Sequence, residues 1–393
     1  MRITEVATRY PPGPGGVERH VDTVARRLAD RGHEVHVLTS DLYREFPWQE
    51  LADGVPRSEL RGGVRIRRLP VWSLPGELHY PFFRGLSRAL REERPELVHV
   101  HTYGTHQVTL ASRWRRRGGP PVVLTAHFHP IWSIEGGWFR HRLRGFYDRR
   151  ISGRVLRGVD RVIVQTREEE RLLRRLAVPL PEVVVVPPGR TALPPPPADP
   201  AAFRQSLGLP GPFVLFVGRL ASNKGLLELL EAFRPLAAHD RSVTLVFIGE
   251  DGGMRPALED RLRRRSLEGR VRFTGFLADE AMLAAAFREA RLVLLPSQYE
   301  AFGLVLLEAL AQGTAVIASR VGGIPEVLDG GAAGRLVPPG EVGPLAEAMR
   351  ELYDDPAACR RMGEHGRTTV LPRYDWDQVV GRLEALFREV AQR

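Results

Sequence analysis

Short apolar runs alternate with amphipathic segments along this chain, and the alternation predicts an α/β protein. Continuously apolar runs are typical of strands buried on both faces of a parallel sheet, and the amphipathic segments between them supply the covering helices. In the first half, the predicted strands are residues 1–7, 33–40, 96–104, 121–127, 160–166 and 182–189. In the second half, they are residues 212–220, 243–250, 271–276, 292–297 and 314–319.

A proline-rich segment separates the two halves of this pattern. Residues 192–200 read ALPPPPADP, and four consecutive prolines stiffen the chain and interrupt helices and sheet ladders. Since 393 residues exceed one ordinary core, we predict two doubly wound, Rossmann-like parallel-sheet domains, residues 1–192 and 200–374. Ligands of open α/β sheets bind at the carboxyl ends of the strands, so we expect the site in a central cleft between the domains.

The net charge of +10 is concentrated in the first half of the chain. Residues 1–190 contain 33 arginines and 21 acidic residues, whereas residues 191–393 contain 24 basic and 26 acidic residues. An anionic partner would explain this asymmetry, and so would arginine-rich coding. The single cysteine excludes an intrachain disulfide, and the N-terminus lacks the apolar segment of a secretion signal, so we expect a cytoplasmic protein.

The segment GRLASNKG, residues 218–225, contains Lys224, which is the only lysine in the sequence. Gly218 and Arg219 follow a predicted strand, and Lys224 stands where the next helix is predicted to begin. Helix N-termini attract anions, and a compact ammonium fits a narrow phosphate pocket better than a planar guanidinium does. The segment therefore indicates a diphosphate site, although a solvated surface lysine is the alternative.

Two glutamates with seven residues between them stand out in PSQYEAFGLVLLEALAQGTAVIAS, residues 296–319. Glu300 lies in a predicted loop and Glu308 in the helix that follows. On one helix they would lie about 12 Å apart, too far for a glycosidase pair but suitable for holding two ends of an extended ligand. The residues between them offer backbone N–H groups at the helix start. A helix-capping Glu300 and a surface Glu308 are the alternative interpretation.

Glycines and histidines are the candidate ligand-binding residues of the first half. Gly15 and Gly16 occupy the turn between the first strand and the first helix, where glycine allows a phosphate or sugar to approach the backbone. Paired histidines end two predicted strands, at His99, His101, His127 and His129. Zinc binding is one interpretation, but the loop spacing and carboxylates that zinc sites usually show are missing. We predict instead that one or two of these histidines bind a polar ligand.

Together these motifs resemble the retaining glycosyltransferases of family 4, which have the GT-B fold. GGVERH, RGHEVHVLTS, VHVHTYG, GRLASNKG, the two-glutamate segment and VGGIPEV cover nearly the whole chain in the family's order. The resemblance implies an enzyme that moves a hexose from a UDP- or GDP-linked sugar to an acceptor hydroxyl in polysaccharide or glycolipid biosynthesis. It also implies that the final helix, residues 375–393, packs back on the first domain. The chain departs from the family pattern at residues 187–190 and at Ala315, which weakens the substrate assignment more than the class.

The resemblance also assigns a role to each site residue. Arg219 and Lys224 would bind the donor diphosphate and neutralise it as it leaves, so neither a metal ion nor another cofactor is required. Glu300 would contact the transferred sugar and Glu308 the ribose hydroxyls. His127 would contact the sugar and stabilise the transition state. The other donor-binding residues would be Gly15, Gly16, Gly218, Leu277, Phe302, Gly303 and Leu304, and Phe276 or Leu277 would contact the base through its backbone.

The acceptor is expected to be lipid-linked or a saccharide and to bind the first domain. Residues 113–119 and 138–150 mix arginine with aromatic side chains, a composition that suits docking on an anionic membrane at its inner face. A solvated charged face and a phosphorylated soluble acceptor are the alternatives. One alternative function is a phosphorylase or epimerase that acts on sugar nucleotides. The other is a basic nucleic-acid-binding protein, but the sequence shows no recognised nucleic-acid-binding motif.

Overall fold

The computed structural model describes residues 1–45, 48–73, 81–130, 138–190, 192–199 and 201–392. The chain divides into two compact units, one formed by Met1–Gly189 with Trp376–Arg393 and the other by Arg190–Asp375. The assignment of acceptor binding to the first unit and donor binding to the second stays a prediction. No helix of the described ranges is long and apolar enough to cross a bilayer.

From residue 86 onward the first unit alternates strands and helices as the sequence pattern predicts, whereas between residues 30 and 86 its described elements are all strands. Its described strands are β1 (Arg2–Val6), β2 (Glu34–Ser40), β3 (Leu42–Arg44), β4 (Gln49–Glu50), β5 (Ser58–Arg61), β6 (Val64–Leu69), β7 (Val71–Trp72), β8 (Phe82–Phe83), β9 (Leu97–His101), β10 (Val122–Thr125), β11 (Arg161–Val164) and β12 (Glu182–Val185). Its described helices are α1 (Gly16–Asp30), α2 (Leu86–Glu93), α3 (His106–Arg115), α4 (Trp138–Phe146), α5 (Ser152–Leu156), α6 (Arg167–Arg174) and the final helix α15 (Trp376–Ala391).

The main sheet of the first unit has the strand order β12-β11-β10-β9-β1-β2-β6-β5 among the described residues. Neighbouring strands are parallel except at the edge, where β5 runs antiparallel to β6. This edge departs from the predicted parallel arrangement because a two-residue Gly62–Gly63 connection returns the chain directly beside β5. Strands joined by such a tight turn can pair only in opposite directions.

Two apolar cores cover the two faces of this sheet. On one face, Val24 of α1 and Val380 and Phe387 of α15 pack with Ile3 and Val123. The amphipathic pattern of the last helix is explained by this contact, since its apolar side closes the core of the first unit. An amphipathic helix gains most of its stability from packing its apolar side against the rest of the protein.

The second unit contains one parallel sheet covered by helices. Its described strands are β13 (Phe213–Val217), β14 (Thr244–Ile248), β15 (Val271–Gly275), β16 (Leu292–Leu295), β17 (Val316–Ser319) and β18 (Gly334–Val337). Its described helices are α7 (Ala202–Ser206), α8 (Leu226–His239), α9 (Arg255–Arg265), α10 (Glu280–Glu289), α11 (Leu304–Ala311), α12 (Ile324–Val327), α13 (Val342–Asp354) and α14 (Pro356–His365). The strand order is β15-β14-β13-β16-β17-β18.

Each sheet reverses the direction of its strand order once near its centre. In the second unit the reversal lies between β13 and β16, which pair in parallel, and in the first unit it lies between β1 and β9. The loops that leave the carboxyl ends of two such strands diverge to opposite faces and leave a crevice, where open α/β sheets bind their ligands. The fold therefore points to the loops after β13 and β16, and to those after β1 and β9.

Candidate active-site residues

The loops that follow β13 and β16 bring a lysine and a glutamate into contact. Lys224 ends a short 3₁₀ turn, Ser222–Lys224, just before α8, and Glu300 lies between β16 and α11. The Nζ of Lys224 donates a hydrogen bond to Oε2 of Glu300 at 2.6 Å, and each side chain is 19% exposed. Ser297 Oγ donates to the same oxygen at 3.3 Å. The only lysine of the chain is thus held by a carboxylate at the switch point of the sheet.

Glycine residues allow the surrounding loops to approach closely. A Cβ atom on Gly225, whose φ is +64°, would lie 2.1 Å from the carbonyl oxygen of Pro296. A Cβ atom on Gly322, in the VGGIPEV segment, would lie 1.6 Å from the carbonyl oxygen of Glu300. Any larger residue at either position would push these loops apart, which explains why both motifs contain glycine. The backbone at Lys224 and Glu300 is therefore fixed by close packing as well as by their ion pair.

Arg219 is the second predicted phosphate-binding cation. It follows Gly218 at the end of β13 and its side chain is exposed, with no ion pair to another residue of the described ranges. The backbone N–H of Gly218 donates to Ile248 O at 2.9 Å, which ties this turn to β14. The structure thus leaves the Arg219 guanidinium accessible to an anion, but it pairs Glu300 with Lys224 rather than with Arg219.

The residues at the start of α11 are suited to binding a ligand through their backbone. The Phe302 side chain is buried and packs edge-on against Tyr374, with ring centroids 5.5 Å apart. Gly303 precedes α11 as its N-terminal cap, and Leu304 is the first helical residue, whose N–H has no acceptor within the helix. Glu308 is half-buried in the same helix. These positions agree with the predicted amide contacts, which stay predictions.

The predicted base-binding residue follows β15. Leu277 is half-buried and packs against the core of the second unit. Its neighbour Phe276 is 71% exposed, which is unusual for a large apolar side chain. The Phe276 ring is therefore accessible from solvent, and the contact of this turn with the base stays a prediction.

The N-terminus of α1 carries an acidic side chain that the sequence reasoning missed. Gly15 caps α1 at the end of the predicted turn, and Gly16, which was also placed in that turn, is the first residue of the helix. A Cβ on Gly15 would lie 1.9 Å from Oε2 of Glu18, and Arg9 donates to Oε1 of Glu18 at 2.7 Å. Burial raises the pKa of the Glu18 carboxyl, and the charge of Arg9 opposes this shift. The predicted phosphate contact at Gly15 and Gly16 therefore lies beside the carboxylate of Glu18. The GGVERH motif contains this signal, because its glutamate falls in the first turn of the predicted helix.

Strand register collects polar residues on one face of the first sheet. Glu5 of β1 pairs with His99 of β9, and His101 of β9 pairs with Thr125 of β10. Since paired residues, and residues two apart on a strand, share a face, these four side chains lie together. His127 follows Thr125 by two residues and extends the row. The structure therefore brings three of the four predicted histidines together, whereas His129 is exposed.

Hydrogen-bond distances connect this row into a cluster. Glu5 Oε2 lies 2.8 Å from His99 Nδ1 and 2.8 Å from His101 Nε2, and His101 Nδ1 lies 3.4 Å from His127 Nε2. Burial alone would raise the pKa of Glu5, but His99 and His101 lower it to about 2. Burial lowers the pKa of His101 to about 4 and that of His127 well below its ordinary value. At neutral pH, Glu5 is therefore ionised and His127 is a neutral imidazole.

The cluster also has the composition of a metal site. The ligand atoms of Glu5, His99 and His101 all lie within 4.8 Å of one another. The carboxylate oxygen is already at hydrogen-bond distance from both imidazoles, and zinc would instead have to lie about 2.0–2.2 Å from each ligand atom. The contacts of His101 with Glu5 and of His99 with Thr125 are hydrogen bonds, so the described atoms form a partly hydrogen-bonded cluster. Sequence reasoning weighed zinc for the histidines but missed Glu5, whose signal is an acid inside a buried apolar strand.

Comparison with known proteins identifies the family of the chain. The family described as Glycosyltransferase Family 4 matches residues 14–191, and the family described as Glycosyl transferases group 1 matches residues 200–369. A glycogen synthase of Mycobacterium tuberculosis is 30% identical over 96% of this chain and 92% of its own length. A phosphatidyl-myo-inositol mannosyltransferase of Mycolicibacterium smegmatis is 30% identical over 100% of this chain and 94% of its own length.

A solved structure shows the same architecture. The sucrose-phosphate synthase from Thermosynechococcus elongatus matches 99% of this chain and 98% of its own length, with a TM-score of 0.80 and 25% identity. The prediction of a GT-B fold built from two Rossmann-like parallel-sheet domains is thereby confirmed. The chain belongs to glycosyltransferase family 4, and it is an enzyme that transfers a sugar from a nucleotide sugar.

Proposed function

We propose that this protein is a retaining hexosyltransferase that uses a UDP- or GDP-linked sugar and a lipid-linked or saccharide acceptor in cell-surface polysaccharide or glycolipid biosynthesis. The contact between Lys224 and Glu300 at the carboxyl end of the sheet carries the proposal. A nucleotide sugar places an anionic diphosphate next to a neutral, hydroxyl-rich ring. An ammonium beside a carboxylate complements both parts, because the cation binds phosphate and the carboxylate accepts hydrogen bonds from hydroxyl groups.

Charge stabilisation is the main catalytic contribution of these residues. As the bond between the sugar C1 and the phosphate oxygen breaks, negative charge grows on the diphosphate, where Lys224 and Arg219 neutralise it. The acceptor oxygen forms the new bond to C1 on the same face, and its proton passes to the leaving phosphate oxygen. The two protein cations supply the electrostatic stabilisation, and the reaction as proposed includes no metal ion or other cofactor.

The remaining site residues bind and orient the substrates in this proposal. Glu300 holds hydroxyl groups of the transferred hexose, and Glu308 holds the ribose. His127 is neutral and contacts the sugar, and Gly15 and Gly16 provide backbone contacts to the donor. The lysine is paired with Glu300 in the unliganded protein, so donor binding replaces this contact by one to phosphate.

A panel of sugar nucleotides tests this function directly. The melting temperature is measured with UDP-, GDP- and ADP-linked hexoses, because a ligand that binds the native state stabilises it. We expect one nucleotide class to raise the melting temperature, followed by transfer to acceptor with retained anomeric configuration, read by NMR of the product. No stabilisation by any member would contradict the proposal, an inverted product would contradict retention, and phosphorolysis or epimerisation would reassign the activity.

Membrane association at the inner, cytoplasmic face is proposed for helix α4 and the turn that follows it. Trp138, Leu143 and Phe146 are 73%, 39% and 54% exposed, although large apolar side chains are usually buried. Arg142 in this helix is exposed, as are Arg149 and Arg150 in the turn after it, and the guanidinium of Arg142 lies 5.9 Å from the centroid of the Trp138 ring. Aromatic and apolar side chains among cations are typical of helices that lie in the interface of an anionic bilayer.

Three residues of the other arginine-rich segment, residues 113–119, have partners within the protein. Arg115 binds the carboxylate of Asp160 through Nε and Nη2, at 2.9 and 2.8 Å, and Arg116 donates to the carbonyl oxygen of Arg154. Trp114 is half-buried against the core of the first unit. Of the two segments predicted from composition, α4 is therefore the one that offers exposed apolar groups to a membrane.

Vesicle binding of an α4 variant tests this surface. We expect the wild type to co-sediment with phosphatidylglycerol–phosphatidylcholine vesicles and the triple variant Trp138→Ser, Leu143→Ser and Phe146→Ser to remain in the supernatant. Leu60→Ser is the matched control, because Leu60 is equally apolar and 72% exposed but lies on β5. Equal binding by wild type and triple variant, or binding to pure phosphatidylcholine alone, would contradict the proposal.

A further inference from the structure

Two buried side chains connect His127 to the core of the sheet, and the proposed reaction assigns them no role. Glu5 and His101 are both 0% exposed, whereas His127 retains 9% of its exposure. Glu5 Oε2 contacts His101 Nε2 at 2.8 Å, and the other nitrogen of that ring, Nδ1, lies 3.4 Å from His127 Nε2. The three side chains thus form a linear chain from the core of the sheet to the outermost residue of the cluster.

The direction of hydrogen bonding in this chain follows from the carboxylate. An ionised carboxylate only accepts, so His101 must carry its proton on Nε2 and present an unprotonated Nδ1. That nitrogen can accept the Nε2 proton of His127, which leaves Nδ1 of His127 as the acceptor for an external hydroxyl. A ligand-contacting histidine is commonly oriented in this way by the partner of its second nitrogen.

The backbone at His127 has a strained conformation that neighbouring contacts must stabilise. His127 has φ of +41°, in the left-handed region that residues with a side chain rarely adopt. The next residue, Phe128, donates its N–H to the buried carboxylate of Glu169 at 2.6 Å. Strain of this kind persists where neighbouring contacts determine the conformation, and it is concentrated at functional sites.

Other ionisable groups also face the cluster. His20 of α1 lies edge-on to His127 and to His101, with ring centroids 5.8 and 6.2 Å apart, and burial lowers its pKa to about 3. His99 Nε2 lies 2.7 Å from Thr125 Oγ1, which anchors that ring beside Glu5. Of these groups, Glu5 is the carboxylate whose oxygen lies directly against two of the imidazoles, those of His99 and His101.

We propose that Glu5 is a positioning residue for sugar transfer, acting through His101 to fix the ring orientation and tautomer of His127. The proposal rests on the proposed function, in which His127 contacts the transferred sugar. Glu5 itself is fully buried and touches no substrate. Its removal therefore affects the reaction step rather than the binding of the nucleotide.

Kinetics of Glu5 variants provide one test. We expect Glu5→Leu to lower kcat about 10- to 100-fold, the range seen when an outer-shell partner is removed, with the donor KM unchanged. Glu5→Gln should lower kcat less, because its amide oxygen can still accept a hydrogen bond from Nε2 of His101. Thr4→Val is the matched control, since Thr4 is equally buried on β1 but its side chain lies on the opposite face of the sheet. An unchanged kcat in Glu5→Leu, or a KM that rises as kcat falls, would overturn the proposal.

The histidine tautomer provides a second test that does not depend on catalysis. In protein labelled with ¹⁵N-histidine, long-range ¹H–¹⁵N spectra should show His127 protonated on Nε2 in the wild type and a mixture of tautomers in Glu5→Leu. Should that variant not fold, His101→Asn is expected to give the same change. An unaltered His127 tautomer, or a stoichiometric metal ion that is lost with Glu5, would overturn the proposal. A wild type without transferase activity would reject the proposed function, while the tautomer would still test the role of Glu5.

Discussion

Replacing Lys224 with alanine is expected to lower kcat by roughly two to three orders of magnitude, the usual cost of removing a charge-stabilising group from a transition state. Donor affinity should fall as well, because a hydrogen bond from a charged group to phosphate is lost. The side chain is 19% exposed and contacts Glu300 rather than the apolar core, so the fold should persist. Steady-state kinetics and donor titration, with a thermal melt to confirm folding, measure these effects.

Two further variants make the Lys224 experiment specific. Lys224→Arg keeps the positive charge but places a planar fork where a single ammonium contacts Glu300, so we expect it to restore only part of the activity. Arg264→Ala removes a cation that is 73% exposed on α9 and should leave kinetics unchanged. A donor titration of Lys224→Ala that matches the wild type would contradict the assignment of this residue to the diphosphate.

The contact between Lys224 and Glu300 shows how far sequence reasoning could reach. Each residue was recognisable from its motif and from its position after an apolar strand. The two are separated by 76 residues, and their contact depends on the pairing of β13 with β16. Strand order in a doubly wound sheet is a global property, which local hydrophobic periodicity does not contain. The residues of this site could therefore be predicted from the sequence, but not the pairing between them.

Glu5 illustrates the opposite case, in which the residue itself was missed. It lies within the buried strand β1, where the apolar pattern predicts a strand equally well with or without one acid. Its significance appears only when β9 is placed beside β1, so that the carboxylate meets His99 and His101. An isolated carboxylate is costly to bury unless a partner compensates it. An acid inside an apolar run is thus a usable signal for a partner elsewhere in the chain, although it does not identify that partner.

The antiparallel edge of the first sheet was missed for a local reason. Strand β6 carries several arginines in the segment VRIRRL, so its hydrophobic run is interrupted and short. Its burial alternates over the first four residues, which is typical of an edge region with one solvated face. The predicted strands were instead the continuously apolar ones. The pattern therefore identified the centre of each sheet more reliably than its edges.

Glu300→Gln is expected to separate sugar transfer from nucleotide binding. The substitution preserves shape but removes the charge that partly neutralises Lys224 at 2.6 Å in the unliganded protein. Without that charge the ammonium is more available to the diphosphate, so UDP or GDP should bind as tightly as to the wild type or more tightly. Turnover should nevertheless fall by about two orders of magnitude, because oriented hydrogen bonds to the sugar in the transition state are weakened.

Calorimetric titration with the nucleoside diphosphate, alongside kcat and the donor KM, measures both sides of this prediction. Glu351→Gln is the matched control, because it removes an acid that is 59% exposed on α13. The double variant Lys224→Ala with Glu300→Gln should lose less than the sum of the single effects in free energy, since residues in direct contact are energetically coupled. Weaker nucleotide binding with unchanged kcat in Glu300→Gln would place this carboxylate outside the sugar subsite. A nucleoside diphosphate has no hexose, so removing a group that contacts only the hexose should not weaken its binding.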